Sequence, residues 1–265
     1  MSPTVVAAIA DYEILEALPA GANGRTGSYL ARRPPRLVLD FDFDTVVVKV
    51  LQEGSTARAF RVVSEDLLRF AALRSPYLVT LFEVGRHDGL VFCSMQHVTG
   101  GSLAAPGDPT QVLKAVADAA RGAADLHAAG LVHGAITPSN VLVAPYGAKL
   151  AEPSLDRSFS PGLLVRAGAA RAIEFADPAL LLGEPLSPHH DVWSLGAVLH
   201  RVTAGVGFYG ALPADPLEAL RRVVRAEPAI SPALPPDVAD VVRACLAPPH
   251  VRPAAATVAS RLARR

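Results

Sequence analysis

The chain has 265 residues, 51% of them hydrophobic and 19% charged, with 25 Lys+Arg against 25 Asp+Glu. That length suits one large domain or two tightly packed lobes, and the composition excludes wholesale disorder. The even charge balance argues against a nucleic-acid binder, which carries a basic excess or stripe. Cys93 and Cys245 stand far apart in apolar runs without metal-ligand neighbours and read as buried free thiols of a reducing compartment. No run reaches the roughly 18 uninterrupted apolar residues of a membrane span, and the start MSPTVVAAIADYE lacks the basic region of a secretory signal. A cytoplasmic protein, or the cytosolic part of a membrane-attached one, is expected.

In chain order, Tyr12–Leu15, Gly27–Ala31, Thr45–Leu51, Val79–Val84 and Leu90–Met95 are β-branched or aromatic-rich runs bounded by Gly, Pro or Asp, and predict strands. Between them, Phe60, Val63, Leu67 and Phe70 recur at helical spacing and predict a helix over Ala57–Leu73. After Gly100-Gly101 the character changes. Thr110–Ala129 is alanine-rich and helical, and Val141–Val143 and Ala148–Ala151 predict short strands around a Pro145-Tyr146-Gly147 turn. Pro188–Ala204, Pro216–Arg225, Pro236–Leu246 and Ala254–Leu262 read as helices punctuated by Pro or Gly. The expected architecture is α+β and two-lobed, with a small antiparallel β lobe over 1–98 and a larger, mainly helical lobe over 99–265.

Taken together and in order, the motifs from about Tyr12 to Arg252 resemble the signature set of the protein kinases, of the bacterial serine/threonine type. VVVKVL resembles the lysine-bearing strand, which puts Lys49 where the family contacts the α- and β-phosphates. Glu65 matches the glutamate that pairs with it, at the expected distance before RSPYLVTLFEVG. FCSMQHVTGGSL resembles the interlobe hinge, with Met95 as gatekeeper and Gln96 to Val98 offering backbone groups to an adenine; Leu142 completes the implied nucleotide set. LVHGAITPSNVLV matches the catalytic loop. HHDVWSLGAVLHRVTAG matches the central helix of the lower lobe, and Arg252 takes the position of the family's late structural arginine. On this resemblance His133, Asp191, Trp193 and Arg252 are structural.

The departures fall on separate catalytic jobs. Where the family's aspartate accepts the proton of the substrate hydroxyl, this chain has Ala135, whose methyl group can neither take a proton nor align a hydroxyl. Loss of a positioned base costs about 10²–10⁴ in rate. Thr137 stands for the lysine that neutralises the phosphoryl group, and Gly134 for the arginine; only His133 and Asn140 remain. Asn140 either holds a metal or hydrogen-bonds the loop. The metal-binding aspartate aligns with Glu152, with Asp156 as the other candidate; Glu152 is either a metal ligand displaced by its extra methylene or a solvated carboxylate. Magnesium demands near-ideal octahedral geometry, so weak or no magnesium binding is expected. In RAIEFADPA, Ala172 replaces the substrate-positioning threonine and Ala179 the glutamate that pairs with Arg252, which leaves that arginine without its usual partner. Without an arginine at 134, Ser158 and Ser160 read as plain loop serines.

For ATP the signals divide. Gly21 and Gly24 fit a phosphate-cradling loop or a flexible hairpin turn. Where an adenine would sit, Val47 adds methyl groups relative to the family's alanine, and Ser28 removes the apolar contact of the family's valine. Lys49 and Glu65 serve either a phosphate or a salt bridge pinning helix to sheet. A dinucleotide-binding reading of Gly21 to Gly27 fails, because the chain continues as strand instead of opening a helix. The resemblance with its losses implies a pseudokinase: a signalling or scaffolding module recognising a protein such as an active kinase, a phosphopeptide-binding protein or a membrane transport protein. The alternative is a low-activity serine/threonine kinase that binds ATP through Lys49 and Glu65 and a metal through Glu152 and Asn140.

Overall fold

The computed structural model describes residues 8–18, 27–38, 44–53, 57–105, 107–151 and 170–264. Its contacts divide the chain into two compact units, Met1–Ala72 with Thr80–His97, and Leu73–Val79 with Val98–Arg265.

The first unit is an antiparallel sheet of β1 (Ala8–Ile9), β2 (Tyr12–Leu18), β3 (Ser28–Arg32), β4 (Thr45–Glu53), β5 (Leu81–His87) and β6 (Leu90–Gln96), in the order β1-β2-β3-β4-β6-β5. Its core gathers Ile9, Tyr12, Ala31, Val46, Val48, Val50 and Phe92. Val46, Val48 and Val50 alternate along β4, so the two-residue period of a strand sends them to one face. Tyr12 is fully buried. Its ring meets Phe92 edge-on at 5.9 Å and its hydroxyl donates to Ser94 Oγ at 2.8 Å, so the ring's polar tip is satisfied. Tyr12 thus joins β2 to β6, which are not neighbours in the sheet, so the sheet is curled. Arg36 closes the curl by gripping Asp11 beside β2 and Glu83 on β5, and it lowers both carboxyl pKa values. The β5–β6 hairpin turns on Asp88-Gly89, both at positive φ (45° and 79°), the pattern that Asp-Gly favours. The helix α1 (Ala57–Ala71) packs on β5.

The second unit is built on α2 (Pro109–Ala128). Asp108 starts it by accepting the N–H groups of Thr110 and Gln111 at 3.0 and 3.1 Å, with proline at the first helical position. The buried face of α2 is mostly alanine and valine, which lets neighbours approach closely: a Cβ at Gly122 would lie 2.8 Å from the Tyr77 carbonyl oxygen. The hairpin β7 (Val141–Ala144) and β8 (Gly147–Leu150) lies against it. After α3 (Ala170–Ile173) and α4 (Pro178–Leu181) comes the central α5 (Pro188–Ala204), whose residues from His190 to His200 are all buried. It ends at Gly205 with φ 73°, the left-handed cap that glycine takes without strain. α6 (Pro216–Arg225), α7 (Pro236–Leu246) and α8 (Ala255–Leu262) complete the unit.

The predicted helices and strands therefore stand, with ends shifted by up to three residues. The strand predicted from Val79 begins at Leu81 instead, because Leu78 and Val79 are buried in the second unit, where the Val79 N–H donates to the Leu150 carbonyl at 3.0 Å. The short β1, α3 and α4 were not predicted. Both cysteines are free and buried, and burial pushes the Cys245 thiol up to about 12, out of reach of thiolate chemistry. Among the described residues no helix is long and apolar enough to cross a membrane.

Candidate functional site

The loop His133–Asn140 follows α2 and precedes β7, and its shape is fixed by one buried carboxylate. Asp191, in the first turn of α5, is fully buried. Its Oδ1 accepts the Gly134 N–H at 2.7 Å. Its Oδ2 accepts the His133 N–H and His127 Nε2–H, both at 2.8 Å. Three donors repay the desolvation of the charge, and they also occupy it: Asp191 has neither exposure nor spare geometry to act on an outside group. His133 is fully buried too. Its Nδ1 accepts the Ala135 N–H at 3.2 Å, so the proton sits on Nε2, which donates to the Ala151 carbonyl at 2.9 Å. Asn140 donates from Nδ2 to the Ala135 carbonyl at 2.8 Å, while its own carbonyl accepts the Ala151 N–H at 2.8 Å.

The loop is thus a well-built scaffold that ends in a methyl group at position 135. Asn140 does hydrogen-bond the loop, through its amide nitrogen; a metal would need the oxygen. Thr137 is 5% exposed, and its Oγ1 finds no partner. A short hydroxyl there cannot supply the cation that a lysine would. Among the described residues no group of three or more His, Cys, Asp or Glu is placed to hold a metal ion. Glu152, Asp156, Ser158 and Ser160 lie outside the described residues, as do Gly21 and Gly24. Nearby, burial lowers the Lys149 pKa, and its ammonium donates to the Leu78 carbonyl at 3.1 Å. Leu142, on β7, is half-buried and pairs with Lys149 across the hairpin; Val98 is also half-buried.

In the first unit Lys49 is buried, 5% exposed, and sits opposite Cys93 on β6 and Ser28 on β3. Glu65 is exposed on α1. Met95 is buried, paired with Val47 and Leu81. Gln96 spends its backbone N–H on the Thr80 carbonyl at 2.8 Å.

Arg252 lacks the family's partner at 179 but finds another acid: Nη1 donates to Asp177 Oδ2 at 2.8 Å, with both side chains almost wholly buried, and to the His189 carbonyl at 2.7 Å. Nε donates to the Ala247 carbonyl, and the guanidinium lies 5.4 Å from the centre of the Trp193 ring. Ala179 indeed has no carboxylate, but the acid stands two residues earlier. Sequence reasoning missed Asp177 because it looked only at the aligned position; Asp-Pro at 177–178, a helix-start signal, was the clue. Asp118 was missed as well. This buried carboxylate of α2 collects Lys114 at 3.2 Å, Arg121 at 2.5 Å and the Ala148 N–H at 3.0 Å, and so ties α2 to β8. No local pattern marks a helix aspartate as buried.

The profile of the protein tyrosine and serine/threonine kinase family matches residues 40–262. Among relatives, "Mitogen-activated protein kinase kinase 1" of Arabidopsis thaliana is 26% identical over 205 residues, 74% of this chain and 56% of the relative. "Serine/threonine-protein kinase PknB" of Mycobacterium leprae is 26% identical over 207 residues, 73% of this chain and 32% of the relative. "Serine/threonine-protein kinase PknA" of Mycobacterium tuberculosis is 30% identical over 125 residues, 45% of this chain and 28% of the relative. The chain thus spans less than two thirds of the length of each of these relatives. With most of its length matched, from before the lysine-bearing strand to the last helix, the chain belongs to the protein tyrosine and serine/threonine kinase family.

Proposed function

We propose that this domain is a pseudokinase, a kinase-shaped signalling or scaffolding module that works by binding a protein partner instead of transferring phosphate. The observation that carries this reading is the pairing of an intact loop scaffold with a missing base. His133, Asn140 and Asp191 hold the loop, while Ala135 supplies no proton acceptor. The one described carboxylate bonded to the loop, Asp191, is buried and takes three donors already. A positioned base is worth about 10²–10⁴ in rate, and Thr137 in place of a lysine withdraws charge stabilisation as well. ATP binding is weak or absent on this reading, with Lys49 as the remaining phosphate contact; the partner is a protein such as an active kinase, a phosphopeptide-binding protein or a membrane transport protein.

The decisive assay is phosphotransfer to a generic protein substrate and to the domain itself, with magnesium and with manganese. We expect turnover indistinguishable from that of Lys49→Ala. Lys49-dependent incorporation of phosphate would instead establish the low-activity kinase that uses Glu152 and Asn140 for metal. A thermal-shift titration with ATP separates the two further: a stabilisation that grows with magnesium belongs to the kinase, none to the pseudokinase.

A further inference from the structure

The chain has three lysines, Lys49, Lys114 and Lys149, and the structure places their amines in three different settings. Lys49, on β4, is 5% exposed. Lys114, on α2, is exposed, but its ammonium donates to the Tyr146 carbonyl at 2.7 Å and to Asp118 Oδ2 at 3.2 Å. Lys149, on β8, is half-buried and donates to the Leu78 carbonyl at 3.1 Å, and it makes no ion pair among the described residues.

The backbone sets the position of Lys149. Residues 77–79 run beside β8: the Leu150 N–H donates to the Tyr77 carbonyl at 2.7 Å, and the Val79 N–H to the Leu150 carbonyl at 3.0 Å. The two-residue period of β8 buries Ala148 and Leu150 on one face and puts Lys149 on the other, from which its stem reaches Leu78. Partial burial strips water from the ammonium and no carboxylate replaces it, so the Lys149 pKa is lowered. An amine attacks an electrophile only through the lone pair of its neutral form. To free that lone pair, Lys114 gives up an ion pair with Asp118. Lys149 gives up none, and as a neutral amine it keeps N–H groups for the Leu78 carbonyl.

We propose that Lys149 is an acylation site, at which a small activated acyl donor of the acyl phosphate class marks the join between β8 and residues 77–79. Lys149 Nζ attacks the acyl carbon. A C–N bond forms as the C–O bond to phosphate breaks, phosphate leaves with the electron pair, and the nitrogen's proton passes to water. The product is a neutral amide that retains an N–H for the Leu78 carbonyl, so a half-buried charge disappears while its contact stays. No step uses ATP or the loop His133–Asn140, so this inference goes beyond the pseudokinase reading, and the two fail separately.

The test is incubation of the 265-residue chain with acetyl phosphate, with each lysine followed by peptide mass spectrometry. In the folded chain Lys149 should be acetylated severalfold faster than Lys114 or Lys49. In urea, where all three amines are solvated alike, the preference should vanish. Lys149 reacting no faster than Lys114 in the folded chain would overturn the proposal. So would a preference that persists in urea, since local sequence and not the fold would then be its cause. The effect on the join is read by hydrogen exchange at the Val79 and Leu150 amides. Lys149→Gln, which carries the uncharged amide of the mark, should exchange there more slowly than Lys149→Arg, which keeps the charge. Equal exchange in the two variants would overturn the claim that the mark acts on the join.

Discussion

Ala10 joins β1 to β2 with φ at 52°, a left-handed backbone that a side chain resists. A Cβ in that region costs roughly 1–2 kcal/mol, and glycine returns part of it as extra entropy lost on folding. Ala10→Gly should therefore stabilise the domain by about 0.5 kcal/mol, read as a higher denaturation midpoint at unchanged slope. An unchanged or lower midpoint would mean that the turn carries no strain. At Ala135 the same scale works in the other direction. The side chain there is a bare methyl group, and the backbone still makes its hydrogen bonds to His133 and Asn140.

Among elements, the crossing of α5 and α7 depends on Gly196. A Cβ there would lie 2.5 Å from Cys245 Cβ, and two atoms fixed to backbone cannot rotate apart. Gly196→Ala should push the helices apart and cost about 1–3 kcal/mol, measurable by chemical denaturation. Cys245→Ala keeps the Cβ and should not relieve the loss, whereas Gly196→Ala/Cys245→Gly should recover part of it. If Gly196→Ala is neutral, the crossing is looser than the contact implies. The strand pairs follow the same logic of approach. Tyr12 reaches from β2 to Ser94 on β6, and Arg36 grips Asp11 and Glu83, so the sheet curls until non-neighbouring strands share side chains. Arg36 is about half-exposed, so its ion pairs locate the loop after β3 more than they stabilise the fold.

For the whole molecule, buried titratable groups set the response to pH. His200 is fully buried in α5; Nε2 accepts the Ser231 N–H at 2.9 Å and burial lowers its pKa. The unfolded chain protonates this side chain near its ordinary value of about 6.5, the folded chain only at lower pH, so stability falls as pH drops through that window. Burial raises the Glu174 carboxyl, with the opposite sign: the folded chain takes that proton first, so the contribution of Glu174 improves as pH falls. Between about pH 7.5 and 5.5, Tm should fall less in His200→Gln than in the wild type. Parallel curves would show that His200 protonates equally well in both states. The sequence by itself determined the class of fold and the alanine at position 135. Those are properties of order, period and residue type: valines alternating along Thr45–Glu53, Asp-Gly at 88–89, alanine at 135. Tertiary structure alone decided which polar groups meet. Asp177 with Arg252, Glu174 with Arg201 and Asp118 with Ala148 are separated along the chain by loops and whole helices, and an acid's burial depends on what packs over it, which no local pattern encodes.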